Sequence, residues 1–125
     1  MSRTHADIAR ACFQAYAEGD RAALDAVLSP SLRFTSPFDH AIDLQTYLDI
    51  CWPSHAGISG YRFIRTIESG DEVVVTYELQ RRDGTTVRNT EVLMLRAGRI
   101  EAVEVYFGWN VPHPVPKGHH RTAGA

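Results

Sequence analysis

RNTEVLMLRAGRIEAVEVYFG, residues 88–108, consists of two strand-like runs separated by Ala97-Gly98. Side chains alternate across a strand, so Asn89, Glu91, Leu93 and Leu95 share one face of the first run, and Thr90, Val92 and Met94 share the other. In the second run Glu101, Val103, Val105 and Phe107 alternate with Ile100, Ala102, Glu104 and Tyr106. Each face is largely apolar with one acid set into it. A sheet apolar on both sides has something packed on both. The hairpin therefore predicts helices on one face and a second copy of the protein on the other, where Ile100, Ala102 and Tyr106 would lie.

Working outward, the same period of two begins at Tyr61. Residues 61–68, 72–82, 86–96 and 99–107 read as four strands joined at Gly70-Asp71, Asp83-Gly84 and Ala97-Gly98, pairs that make tight turns with little strain. They predict an antiparallel meander. Ahead of it, residues 4–19 carry Ile8, Cys12, Phe13 and Tyr16 at helical spacing, with Thr4 and Asp7 at the start and Gly19 at the end. Asp20 caps a short second helix that buries Leu24, Val27 and Leu28, and Ser29-Pro30 stops it. A brief strand over 32–36 leads into Pro37-Phe38-Asp39-His40. Asp43 then caps a third helix bearing Leu44, Tyr47, Leu48 and Cys51, which Trp52-Pro53 terminates. Pro112, Pro114 and Pro116 exclude a central strand after Gly108, so 111–125 reads as an extended or flexible tail.

The chain of 125 residues has room for one domain, with its core over 4–110. It is 44% hydrophobic and 22% charged, with a net charge of −2. A nucleic acid or an anionic membrane would call for a basic stripe, and none is present. The N-terminal MSRTHADIAR lacks the apolar centre of a signal peptide, and no apolar run approaches the roughly 18 residues of a membrane span, so a soluble cytoplasmic protein is expected. Cys12 and Cys51 fall on apolar helix faces as small buried hydrophobes.

This order of elements, with AYAEGD closing the first helix, SLRFTSP as the first strand and GRIEAVEVYFG as the last, resembles the nuclear transport factor 2-like superfamily, in particular its SnoaL-like and ketosteroid isomerase branch. The resemblance covers residues 5 to 110. It implies an α+β fold: a cone-shaped curved antiparallel sheet of about four long strands plus a short one, with three N-terminal helices enclosing a pocket. It also implies a homodimer joined through the outer sheet face. The superfamily uses this one fold for isomerases, cyclases, hydrolases, dehydratases and proteins without chemistry. Carried over from ketosteroid isomerase, the tyrosine oxyanion donor falls at Cys12, the general-base aspartate at Ser36, and the second, protonated acid at Glu91. With two of three groups absent, the resemblance does not extend to that activity. It does put Asn89, Glu91, Leu93, Val103, Val105 and Phe107 on the pocket side.

Glu91 is the first catalytic candidate, because a carboxyl among leucines is desolvated and its pKa rises toward the range of acid–base work. The alternative is a structural carboxylate paired with Arg88, Arg62 or a helix N-terminus. Asp39 and His40 are the second catalytic candidates, able to orient a water or a hydroxyl, against a turn aspartate and a surface histidine. Tyr16, Trp52, Tyr47, Tyr77 and Phe107 are aromatics suited to a flat ligand, against ordinary core packing. His55, His113, His119 and His120 lack the spacing of a metal site, so no metal and no cofactor are expected. Three functional classes follow. The first is a cofactor-independent enzyme moving protons on a small apolar or cyclic molecule, with Glu91 as acid or base and Asn89, His40 or Asp39 polarising the ligand. The second is a non-catalytic ligand-binding or structural relative, and the third a protein-interaction module.

Overall fold

The computed structural model of the protein describes residues 3–122. Helix α1 spans His5–Glu18, and a reciprocal capping box starts it: Thr4 Oγ1 accepts from Asp7 N at 3.0 Å and Asp7 Oδ2 accepts from Thr4 N at 3.1 Å. Gly19 ends it at φ 66°, the left-handed conformation that lets its N–H close on the last carbonyls. Helix α2, Arg21–Val27, starts at the Asp20 cap, and helix α3, Leu44–Ile50, at the Asp43 cap; each carboxylate accepts a backbone N–H three residues on. A 3-10 helix, Trp52–Gly57, follows α3.

Six strands form one sheet in the order β2-β1-β6-β5-β4-β3: β1 Leu28–Ser36, β2 Asp39–Ile42, β3 Ile58–Ser69, β4 Glu72–Arg81, β5 Thr86–Arg96 and β6 Arg99–Asn110. The sheet is curved and unclosed, and the α+β architecture with three helices on the concave side is the expected one. Its pairing differs at one edge. β3 to β6 form the antiparallel meander, but β1 runs parallel to β6, so the sheet is mixed. Parallel neighbours need a long crossover, and here α3, the 3-10 helix and the whole meander supply it. Residues 39–42, to which the sequence pattern assigned no element, form an edge strand by folding back on β1, with Ala41 at φ 48°. Leu28, expected at the end of α2, opens β1 instead.

A bulge corrects the reading of the last hairpin. Leu95 pairs with Ile100 and Met94 with Ala102, so Glu101 is the extra residue and the alternation resets. Ile100 therefore turns inward, at 0% exposure, rather than toward the outer face. A second break at Gly108 carries β6 on to Asn110. The core lies between α1, α2 and the concave face, where Leu24, Leu32, Val73, Val75, Leu93 and Ile100 are fully buried. His5 and Ala6 bind Gly70 O and Glu68 Oε1, which ties the start of α1 to the β3–β4 turn.

Beyond Asn110 the chain forms no strand; Val111 N donates to Thr86 O, the Val111–Pro112 peptide is cis, and a short helix α4, His119–Thr122, follows. The last three residues of the expected tail lie outside the described residues. Among the described residues no helix is long and apolar enough to cross a membrane.

Candidate functional site

The wide end of the curved sheet leaves a cavity of about 410 Å³ between the strands and α1 and α3. Alternation along the strands decides which side chains reach it: Tyr77, Leu79 and Arg81 from β4, Asn89 and Glu91 from β5, and Val105 and Phe107 from β6. Helical spacing supplies Cys12, Phe13 and Tyr16 from α1. Tyr47, Ile50 and Cys51 enter from α3 and its end, while Phe34, Ser36, Phe38 and Asp39 come from the β1–β2 hairpin.

Glu91 sits among these apolar and aromatic groups. On the sheet it faces Val75 and Val105, one pair along from the Tyr77–Asn89 pair, so Tyr77 approaches it diagonally. The Tyr77 hydroxyl donates to Glu91 Oε2 at 2.5 Å. Glu91 keeps some accessible surface because it faces the cavity, but protein surrounds its carboxyl densely. That desolvation raises its pKa from 4.5 to about 7, with the Tyr77 hydrogen bond opposing the rise. Burial first, and then the Glu91 charge, push the Tyr77 phenol far above its ordinary range, while the Asn89 amide acts in the opposite direction. Asn89 Oδ1 accepts from Gly108 N at 3.2 Å, and its NH₂ group, the amide's donor end, acts on the Tyr77 oxygen at the cavity wall. The two arginines that offered Glu91 a structural partner are engaged elsewhere. Arg62 and Arg88 both bind Glu78 on the outer face, at 3.2 and 2.6 Å.

A second polar pair lies deeper. The hydroxyls of Tyr16 and Tyr47 meet at 2.5 Å, both rings being buried. Desolvation raises both phenols, so they stay protonated. Burial likewise raises Cys12, and it pushes Cys51 up to about 11, so both thiols stay neutral near pH 7.

Of the residues expected on the pocket wall, Glu91, Asn89, Tyr16, Tyr77, Val105, Phe107 and Asp39 line the cavity, and so do Cys12 and Ser36. Three do not. His40 is exposed on β2, because neighbours on a strand point apart and Asp39 takes the inward position. Val103 is 6% exposed and pairs with Leu93 below the cavity, in the core. Trp52 lies behind Tyr16, ring centroids 4.9 Å apart, and stacks on His55 at 4.4 Å. Tyr61, Phe34 and Arg81 also line the cavity, and the sequence did not single them out. Arg81 was accessible in principle, since it continues the alternation Tyr77, Leu79, Arg81. Among the described residues no cluster of three or more His, Cys, Asp and Glu side chains could hold a metal ion.

The sequence profile of the SnoaL-like domain matches residues 9–103. The chain belongs to the SnoaL-like domain family. Solved structures place this SnoaL-like chain in the wider nuclear transport factor 2-like fold. A nuclear transport factor 2-like protein from Cytophaga hutchinsonii superposes with a TM-score of 0.71 at 20% identity, covering 86% of this chain and 93% of its own. A protein from Sinorhizobium meliloti proposed to be a polyketide cyclase gives 0.68 at 22% identity, covering 79% and 93%. A Xanthomonas campestris protein with a cystatin-like fold gives 0.68 at 21%, covering 85% and 92%. At these identities the likeness is one of fold. No curated protein matches the SnoaL-like chain.

Proposed function

We propose that this SnoaL-like protein is a cofactor-independent enzyme that moves a proton on an apolar or cyclic small molecule, with Glu91 as the acid–base group. The observation that carries this reading is a carboxyl held by a tyrosine at 2.5 Å in an otherwise largely apolar cavity, with its pKa raised by burial to about 7. A base with a pKa near the working pH is both present in its ionised form and strong enough to take a proton. Glu91 would remove a proton from a carbon next to a ligand carbonyl and return it at a second position, so that no oxidant, metal or cofactor enters the balance. The NH₂ group of Asn89 would polarise the ligand oxygen, and the aromatic walls would hold a flat ring. The fold shared with a protein proposed to be a polyketide cyclase supports the same class of chemistry.

The test works before the substrate is identified. A panel of cyclic ketones and polyketide-like aromatics is incubated in heavy water, and exchange at carbon is followed by proton NMR. Wild type should accelerate exchange of at least one compound and Glu91→Gln should lose that acceleration. Equal exchange by both proteins would remove Glu91 from the mechanism, and binding without exchange in either would leave a ligand-binding protein.

The partner surface belongs to the same proposal. Ile67, Met94, Tyr106 and Trp109 are about half exposed, and the strand register puts them on the convex face, where a second copy would cover them. Sedimentation velocity should give a dimer for wild type and a monomer for Tyr106→Glu; a monomeric wild type would overturn it.

A further inference from the structure

We infer that the ligand of this cavity carries a carboxylate, which Arg81 receives at the cavity mouth while the apolar body lies against the tyrosines. The inference rests on reading the cavity as a small-molecule site and adds the charge of the ligand. Arg81 is the one cationic side chain on the cavity wall among the described residues. It lies on the inward side of β4, two residues beyond Leu79 and four beyond Tyr77, where that strand reaches the open end of the sheet. Its neighbours are occupied: Arg62 and Arg88 hold Glu78, and Arg82 Nε donates to Ala56 O at 3.0 Å. The Arg81 guanidinium makes no hydrogen bond or ion pair among the described residues, and acts on Asp83 only through space. Asp83 is in turn satisfied by the Thr85 backbone N–H and hydroxyl, at 2.9 and 2.7 Å.

A guanidinium offers a rigid fork of donors matched to two carboxylate oxygens. The other acids at the cavity do not oppose that use. Asp39, on β2, lines the same cavity but makes no ion pair with Arg81. Glu91 is held by Tyr77 and is uncharged below about pH 7. An amphipathic acid fits the gradient from a tyrosine-lined interior to a cationic rim.

The test uses 2-naphthoate and its neutral isostere 2-naphthamide, titrated by NMR near pH 6, where Glu91 is largely protonated and the free naphthoate is ionised. Wild type should bind naphthoate roughly fivefold more tightly than naphthamide, the size expected of a solvent-exposed ion pair, and added salt should shrink the difference. Arg81→Gln should abolish the preference, and Arg81→Lys should keep part of it. Binding of both compounds with the same ratio in wild type and Arg81→Gln overturns the role of Arg81 and leaves the cavity as a binding site. Failure of both compounds to shift any Tyr77 or Tyr16 resonance overturns the role of Arg81 and the binding-site reading together.

Discussion

Tyr77 and Glu91 belong to neighbouring strands and are joined by a 2.5 Å hydrogen bond from phenol to carboxyl, offset by two positions in the register. The bond favours the ionised carboxylate, while the surrounding protein favours the neutral acid, and burial prevails. The result is a group poised near pH 7.

Glu91 should leave a signature in the pH dependence of stability. Its folded pKa, about 7, lies above its ordinary 4.5, so the native state holds the proton more tightly. Its contribution is fully present below about pH 4.5 and is lost as pH rises through about 7, a change on the order of 2 kcal/mol once solvent reaching the cavity is allowed for. Urea unfolding across this window should show Glu91→Gln gaining on wild type as pH rises. Parallel profiles would contradict the buried, titrating carboxyl.

Tyr77→Phe keeps the ring that packs against Phe13 at 4.9 Å and removes only the hydroxyl. Because that hydroxyl holds the Glu91 pKa down, the variant should titrate above about 7, with stability lowered by about 1 kcal/mol at neutral pH. Carbon-13 NMR of labelled glutamate reads the midpoint directly, and an unchanged or lower midpoint would count against the bond.

The hydroxyls of Tyr16 and Tyr47 are mutual partners in a buried site. Removing either one strands the other, so Tyr16→Phe and Tyr47→Phe should each cost about 1–3 kcal/mol. The double variant should cost clearly less than the sum, since no orphaned hydroxyl remains. Strict additivity in thermal or urea melts would show that the two do not depend on each other.

Gly108 is required by a close approach: a Cβ there would meet the Arg88 carbonyl oxygen at 2.2 Å, and that atom is backbone of the adjacent strand. Gly108→Ala should cost about 3 kcal/mol by forcing β5 and β6 apart at the bulge. Displacing Gly108 N also releases Asn89 Oδ1, so amide shifts should reach Asn89 as well. Stability within about 0.5 kcal/mol of wild type would contradict the strand spacing.

Much of this was legible in the order of residues. Thr4-Asp7, Gly19, Asp20 and Asp43 mark helix ends through local hydrogen bonds that need no tertiary partner. Alternation put Glu91, Asn89, Val105 and Phe107 on one side, and all four line the cavity. Strict alternation failed at Ile100, because a bulge depends on how two strands meet. Val103 shares the inward face with Val105 but lies one step deeper, and depth along a strand has no periodic signal.

The sequence alone determined the three N-terminal helices, the four-strand meander, its tight turns, the family and the inward placement of one acid, since caps, turns and period-two patterns are local properties of neighbouring residues. Only the tertiary structure decided that β1 pairs parallel with β6, and that Arg62 and Arg88 serve Glu78 rather than Glu91. Those outcomes depend on which distant segments share space. The raised pKa of Glu91, which the Tyr77 hydrogen bond opposes, arises only where curved strands and helices exclude water around that carboxyl.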